Sequence, residues 1–141
     1  MKTDNDFPNV ENFNPRTCVS GQILKCQRVI SGIYRKYLAP FEITGSQLSI
    51  LFISAKLEDA NQAKISKILK LEKSTVSKNL KRLFDRKLIK KETGQIIRIT
   101  YVGKLLLEQI IPEWEKAKIE VKQTLKKEGE TALNVLTNNL I

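Results

Sequence analysis

The chain has 141 residues, room for one domain of ordinary size or for a compact lobe with an attached oligomerisation segment, and its 41% hydrophobic and 28% charged content is that of a folded globular protein. With no histidine and only two cysteines, Cys18 and Cys26, a Ser-His-Asp triad, a Cys-His pair, a histidine-ligated zinc and a disulfide framework are all excluded. The net charge of +10 is concentrated in residues 64–91, where eleven basic and two acidic side chains give a local balance of +9; a positive field confined to one fifth of the chain points to a polyanionic partner, nucleic acid first.

Residues 1–16 are Asn-rich, contain Pro8 and Pro15, show no sustained period, and read as an extended arm. They carry no apolar stretch of the kind a secretory leader needs, and no apolar run in the chain approaches the ~18–20 residues that span a bilayer. The expectation is a soluble, cytoplasmic protein with no membrane partner. A first helix is predicted from near Thr17, because Ile23, Cys26, Gln27, Ile30, Ile33, Tyr34, Tyr37 and Leu38 recur at three- and four-residue intervals until Pro40 ends the pattern.

Thr44 and Gln47 have capping-box spacing for a second helix over residues 45–55, with Leu48, Leu51 and Phe52 suited to burial. Asn61 is the N-cap expected for a third helix over residues 62–69, with Ile65, Ile68 and Leu69 inward. Between Lys73 and Leu88 an amphipathic helix is predicted. Val76, Leu80, Leu83 and Phe84 form one face, and Ser74, Lys78, Lys81 and Arg82 the other.

Two β-branched runs, residues 89–92 and 95–100, flank Thr93-Gly94 and read as a tight hairpin. Thr100 then caps a long helix over residues 101–127, with Leu106, Ile110, Trp114, Ala117, Val121 and Leu125 on one stripe and a kink expected at Pro112. Such a helix is about 40 Å long, more than a small lobe can cover, so part of its stripe is expected to seek another surface. Gly129 should break it, and residues 131–140 supply a short last helix with Leu133, Leu136 and Leu140. Long terminal helices with uncovered apolar stripes point to a dimer.

This order of elements resembles the MarR family of transcriptional regulators. The run from Ile65 to Leu80 looks like that family's helix-turn-recognition-helix motif, Ile99-Thr100-Tyr101-Val102-Gly103 resembles its strand-to-helix word, and Tyr34 to Pro40 with Ile43, Thr44 and Gln47 is similar to the first-to-second helix junction of one subgroup, which also carries a cysteine near Cys18. The resemblance covers residues 17–141. It implies a mainly α winged helix-turn-helix with a β-hairpin wing, a DNA-binding lobe over residues 44–100, and dimerisation helices over 17–38 and 101–141. Two positions depart from the family pattern: Lys87 stands where a glycine is usual, and the hairpin is cut back to Glu92-Thr93-Gly94-Gln95, without the Asp-x-Arg element whose arginine enters the minor groove.

The implied function is a homodimeric regulator, a repressor by resemblance, that binds double-stranded DNA at a pseudo-palindromic site and needs neither catalysis nor a cofactor or metal. The residues expected at DNA are Lys64, Lys73, Ser74, Thr75, Ser77, Lys78, Lys81 and Arg82, with Lys90, Lys91 and Arg98 as phosphate contacts from the hairpin. Tyr34, Tyr37 and Phe41 fall where the resemblance places a small-molecule effector cleft, although aromatics at helical spacing also serve as core. Cys18 and Cys26 are candidate thiol sensors, or simply small apolar packing; eight residues of helix put them ~12 Å apart, beyond a disulfide within one helix. Alternatives in the same pattern are a nucleic-acid-coating winged helix without sequence preference, and a protein-interaction scaffold that has lost DNA binding.

Overall fold

The computed structural model describes residues 6–141, so the first five residues of the expected arm lie outside it. The rest of that arm is not extended. It forms α1 (Pro8–Asn12) and a 3-10 turn at Pro15–Thr17, each with proline in its first turn, where a fixed φ helps and the missing N–H is no loss. No residue of either is buried.

The first long helix, α2 (Val19–Leu38), starts after Thr17 because Cys18 is its N-cap, with Sγ accepting the Gly21 N–H at 3.4 Å. A 3-10 turn at Ala39–Phe41 and left-handed Glu42 (φ 50°) then reverse the chain. Helix α3 (Gly45–Lys56) opens on the full capping box: Thr44 Oγ1 accepts the Gln47 N–H and Gln47 Oε1 accepts the Thr44 N–H, both at 3.2 Å. Asn61 caps α4 (Gln62–Leu69) by accepting the Lys64 N–H at 2.9 Å. Ile65 is buried and Leu69 half-buried, but Ile68, expected inward, is 50% exposed. It sits roughly 80° from the middle of the stripe that the other two define.

Helix α5 (Lys73–Asp85) buries Val76, Leu80 and Leu83 and half-buries Phe84. It closes in a Schellman arrangement, Lys87 N–H to Phe84 O at 2.9 Å and Leu88 N–H to Leu83 O at 3.0 Å, with Lys87 at φ 58°. The hairpin pairs β1 (Ile89–Glu92) with β2 (Ile96–Ile99), Ile89 opposite Ile99 and Glu92 opposite Ile96. Its loop is therefore three residues rather than two. Gln95, expected in the second strand, follows Gly94 (φ 78°) into the left-handed region (φ 67°) to close the turn. Ile97 also donates its N–H to Ala60 O at 2.8 Å, which ties the hairpin to the loop before α4.

The last helix, α6 (Tyr101–Leu140), runs through Pro112 with helical backbone; its break is at Lys126 (φ 60°, ψ 179°), not at Gly129. Gly129 lies in the limb beyond, where an added Cβ would stand 3.1 Å from Leu125 Cβ, so its missing side chain lets that limb lie close to the preceding turn. Ile110, Ala117 and Val121 are buried and Leu106, Trp114 and Leu125 half-buried, so the stripe is covered within the chain as far as Leu125. Lys36 Nζ holds both carboxylate oxygens of Glu120, at 2.6 and 2.8 Å, and Tyr37 donates to the same carboxylate at 3.2 Å, which joins α2 to α6. Past the break Leu133, Leu136 and Leu140 are exposed, as are Val19, Ile23, Leu24 and Val29 at the start of α2. Among the described residues no single helix is long and apolar enough to cross a membrane.

Candidate nucleic-acid interface

The buried stripe of α5 orients everything else on that helix. With Val76, Leu80 and Leu83 in the core, Ser74, Thr75, Ser77, Lys78, Lys81 and Arg82 face outward, and all are exposed, as is Lys73 in the first turn. Glu72 is the N-cap but makes no side-chain capping bond. The first amides of α5 thus keep their donors for an acceptor from outside, and the helix dipole favours an anion there. The loop before α5 is fixed by Ser66, whose hydroxyl donates to Leu71 O at 2.5 Å, and by Gln62 Nε2, which donates to Lys73 O at 3.3 Å.

Two buried polar side chains and one arginine set the pose of this helix; the sequence pointed to Gln47 only as a capping residue and singled out neither Asn79 nor Arg86. Gln47 Nε2 donates to Asn79 Oδ1 at 3.4 Å beneath α5. At its other end Arg86 donates to Glu42 O at 2.8 Å and Phe41 O at 3.1 Å, which clamps the helix end to the α2–α3 junction. A signal for Asn79 was present: it is a polar residue on the apolar face of the helical wheel. Arg86 carried none, because its partners are backbone carbonyls more than forty residues away.

The expected cations divide into two groups. Lys73, Lys78, Arg82 and Lys91 have no acidic side chain in ion-pair range among the described residues, whereas Lys64 pairs with Asp59, Lys81 lies 3.6 Å from Asp85, and both Lys90 and Arg98 meet Glu92. The hydrogen bond from Lys64 holds the Asp59 carboxyl below its usual range, and Arg98 does the same for Glu92. These are exposed pairs, worth little to stability, but each one partly cancels a cation at the surface in question.

Thr100 joins the hairpin to α6. Its N–H donates to Leu88 O at 3.0 Å, its hydroxyl donates to Lys87 O at 2.6 Å, and the same oxygen accepts the Gly103 N–H at 3.0 Å. A Cβ at Gly103 would lie 2.3 Å from Leu88 O and 2.7 Å from Ile99 Cγ1. The Thr-x-x-Gly spacing is thus a cap followed by a forced close approach of backbone to backbone.

A cleft of about 700 Å³ opens between α2, α3 and α6. Tyr34, Phe52 and Trp114 line it with Leu38, Ile43 and Leu48, and Arg28 and Arg35 contribute to its polar wall. Of the three aromatics expected there, only Tyr34 is present; burial raises the pKa of its hydroxyl. Tyr37 turns instead to Glu120 on α6, and Phe41, beyond the helix end, packs on the core. Cys18 and Cys26 are both free and exposed, and the sulfur of Cys18 serves as the α2 cap.

The MarR family model matches residues 43–94, the segment from the start of α3 to the hairpin turn. No curated protein matches the sequence. Among solved structures, the chain superposes on BpsR of Bordetella bronchiseptica, described as regulated in DNA binding by 6-hydroxynicotinic acid, with a TM-score of 0.80 at 17% identity over 91% of this chain and 96% of that one. The repressor CouR bound to p-coumaroyl-CoA gives 0.79 at 18% identity over 87% and 91%. The reduced form of MarR from E. coli gives 0.70 at 16% over 94% and 97%. The chain has the winged helix-turn-helix fold that these structures share, and its residues 43–94 match the MarR family model.

Proposed function

We propose that this chain is a homodimeric regulator of transcription that binds double-stranded DNA through α5. The observation that carries the reading is the outward face of that helix, with Lys73, Lys78 and Arg82 beside three short hydroxyls and an uncapped helix start, on a MarR-family lobe. In this reading the lysines neutralise phosphates while Ser74, Thr75 and Ser77 approach base edges in the major groove. Dimerisation would use the apolar side chains left exposed at both chain ends, among them Ile23, Leu24, Leu133 and Leu136. It fixes the separation of two recognition helices, so the target is two-fold symmetric. Repression is the expected outcome, as in CouR.

The cleft beside Tyr34 would take an amphipathic anion. Its apolar walls suit a ring or chain and Arg28 and Arg35 suit a carboxylate or phosphate, consistent with the ligands named for BpsR and CouR. Such a ligand acts by favouring a spacing of the two α5 helices that no longer matches one turn of DNA. Thiol oxidation at Cys18 would act on the same helix through its cap. A second reading, a protein-interaction scaffold, is favoured by the short hairpin and by the carboxylate that sits on its cations.

Selection of duplexes from a random pool tests the proposal. We expect a two-fold-symmetric consensus and an affinity that falls about a thousandfold from ~50 to ~200 mM salt if about six phosphates are neutralised. A protein that remains a single subunit at micromolar concentration, or that ignores duplexes of every sequence at low salt, overturns it.

A further inference from the structure

Lys90 and Arg98 stand directly opposite each other in the hairpin register, and Glu92 lies two residues along from Lys90. Alternation along a strand puts all three on one face. Lys91 leaves by the other, with its Nζ 5.9 Å from the centre of the Phe84 ring. Like charges placed directly across a ladder repel, and here one carboxylate bridges them. Glu92 Oε2 accepts from Arg98 Nε, and Oε1 lies 3.7 Å from Lys90 Nζ, so each oxygen serves one cation. The other paired cations of this surface differ: among the described residues Asp59 meets only Lys64 in an ion pair, and Asp85 only Lys81. A phosphodiester presents the same features as that carboxylate, two acceptor oxygens sharing one negative charge.

We propose that Lys90 and Arg98 form a clamp for a DNA backbone phosphate, and that Glu92 fills this clamp in the free protein as an internal competitor. The inference rests on the reading of the chain as a duplex-binding protein. Glu92 is exposed and ends its strand beside the three-residue turn, so rotation of its own side-chain torsions empties the clamp without moving the backbone. Binding then exchanges one carboxylate for one phosphate. Because the cations already hold a counter-charge, they release few salt ions, and the hairpin adds little to affinity while Glu92 is in place.

The test is a double-mutant cycle with Glu92→Gln, Arg98→Gln and the double variant, titrated against a labelled mixed-sequence duplex between about 50 and 200 mM salt, with circular dichroism to show that each variant is folded. Glu92→Gln should steepen the salt dependence by about one phosphate and tighten binding roughly tenfold near 0.1 M salt. In the Arg98→Gln background the gain should fall below about threefold, because the clamp has lost one arm. An equal gain in both backgrounds means a diffuse charge effect and overturns the clamp. So does a Glu92→Gln protein that binds no better than the parent, an outcome that leaves the DNA-binding reading intact. If neither the parent nor Glu92→Gln retains duplex at low salt, both readings fall; if only Glu92→Gln does, the competitor role is supported in its strongest form.

Discussion

Gln47 on α3 and Asn79 on α5 meet beneath the outward face of α5, amide nitrogen to amide oxygen at 3.4 Å, and both are buried. Gln47 is held in turn by the Thr44 capping box. The rotation of α5 about its own axis is therefore set by a polar contact as well as by Val76, Leu80 and Leu83. Asn79→Ala should strand the Gln47 donor and lower stability by about 1–3 kcal/mol in denaturant unfolding. Duplex affinity should fall more than the charge-neutral substitution alone accounts for.

Cations on the same surface should differ in their contribution to DNA affinity. Lys78→Ala and Arg82→Ala should each weaken duplex binding and reduce the salt slope by about one. Lys64→Ala should do less, because Asp59 already neutralises that side chain. Fluorescence anisotropy over a salt series reads both quantities.

Gly103 admits no side chain. Gly103→Ala drives a methyl group into the Leu88 carbonyl and the Ile99 side chain, and should destabilise the protein by about 1–3 kcal/mol or more, as a lower thermal midpoint. Lys87→Gly should act in the opposite direction. It relieves a left-handed non-glycine residue in the Schellman turn and should stabilise by ~1 kcal/mol.

Acid should loosen the link between α2 and α6. The Glu120 carboxyl is held below its usual range, chiefly by the Lys36 hydrogen bond. The stability it contributes is thus present above its unfolded-state pKa and lost as pH falls through the depressed folded-state value. Lys36, raised chiefly by the same bond, places the other limit in the alkaline range, above its ordinary value. Thermal melting of Glu120→Gln against the parent should show a difference near neutrality that disappears in strong acid.

Local patterns were legible in the sequence wherever the partners are close along the chain. Thr44 and Gln47, Asn61 and its α4 amides, Thr100 and Gly103, and the α5 stripe all depend on spacings of three or four residues. Features that depend on tertiary closure were not. Gln95 belongs to the turn because the register pairs Glu92 with Ile96, and no propensity of glutamine announces a positive φ. The α6 break falls on Lys126 although Gly129 is the weaker helix former, and Gly129 lies in the limb beyond, close against Leu125. On α2, Tyr34 and Tyr37 are three residues apart, enough rotation to send one ring into the cavity and the other hydroxyl to Glu120. The cationic surface was visible as composition, but its division into paired and unpaired charges required the hairpin register and the position of Asp59.

The hairpin has only four residues in each strand, a reach of about 13 Å at the usual rise. On the proposed DNA-binding reading, such a short arm would end alongside the sugar-phosphate ridge instead of entering the narrow channel next to it. A dimer that binds as proposed would draw its choice of site from the few base pairs beneath each α5, and flanking composition should matter little. Its binding sites should then be compact, two short informative blocks one helical turn apart, with permissive sequence outside them.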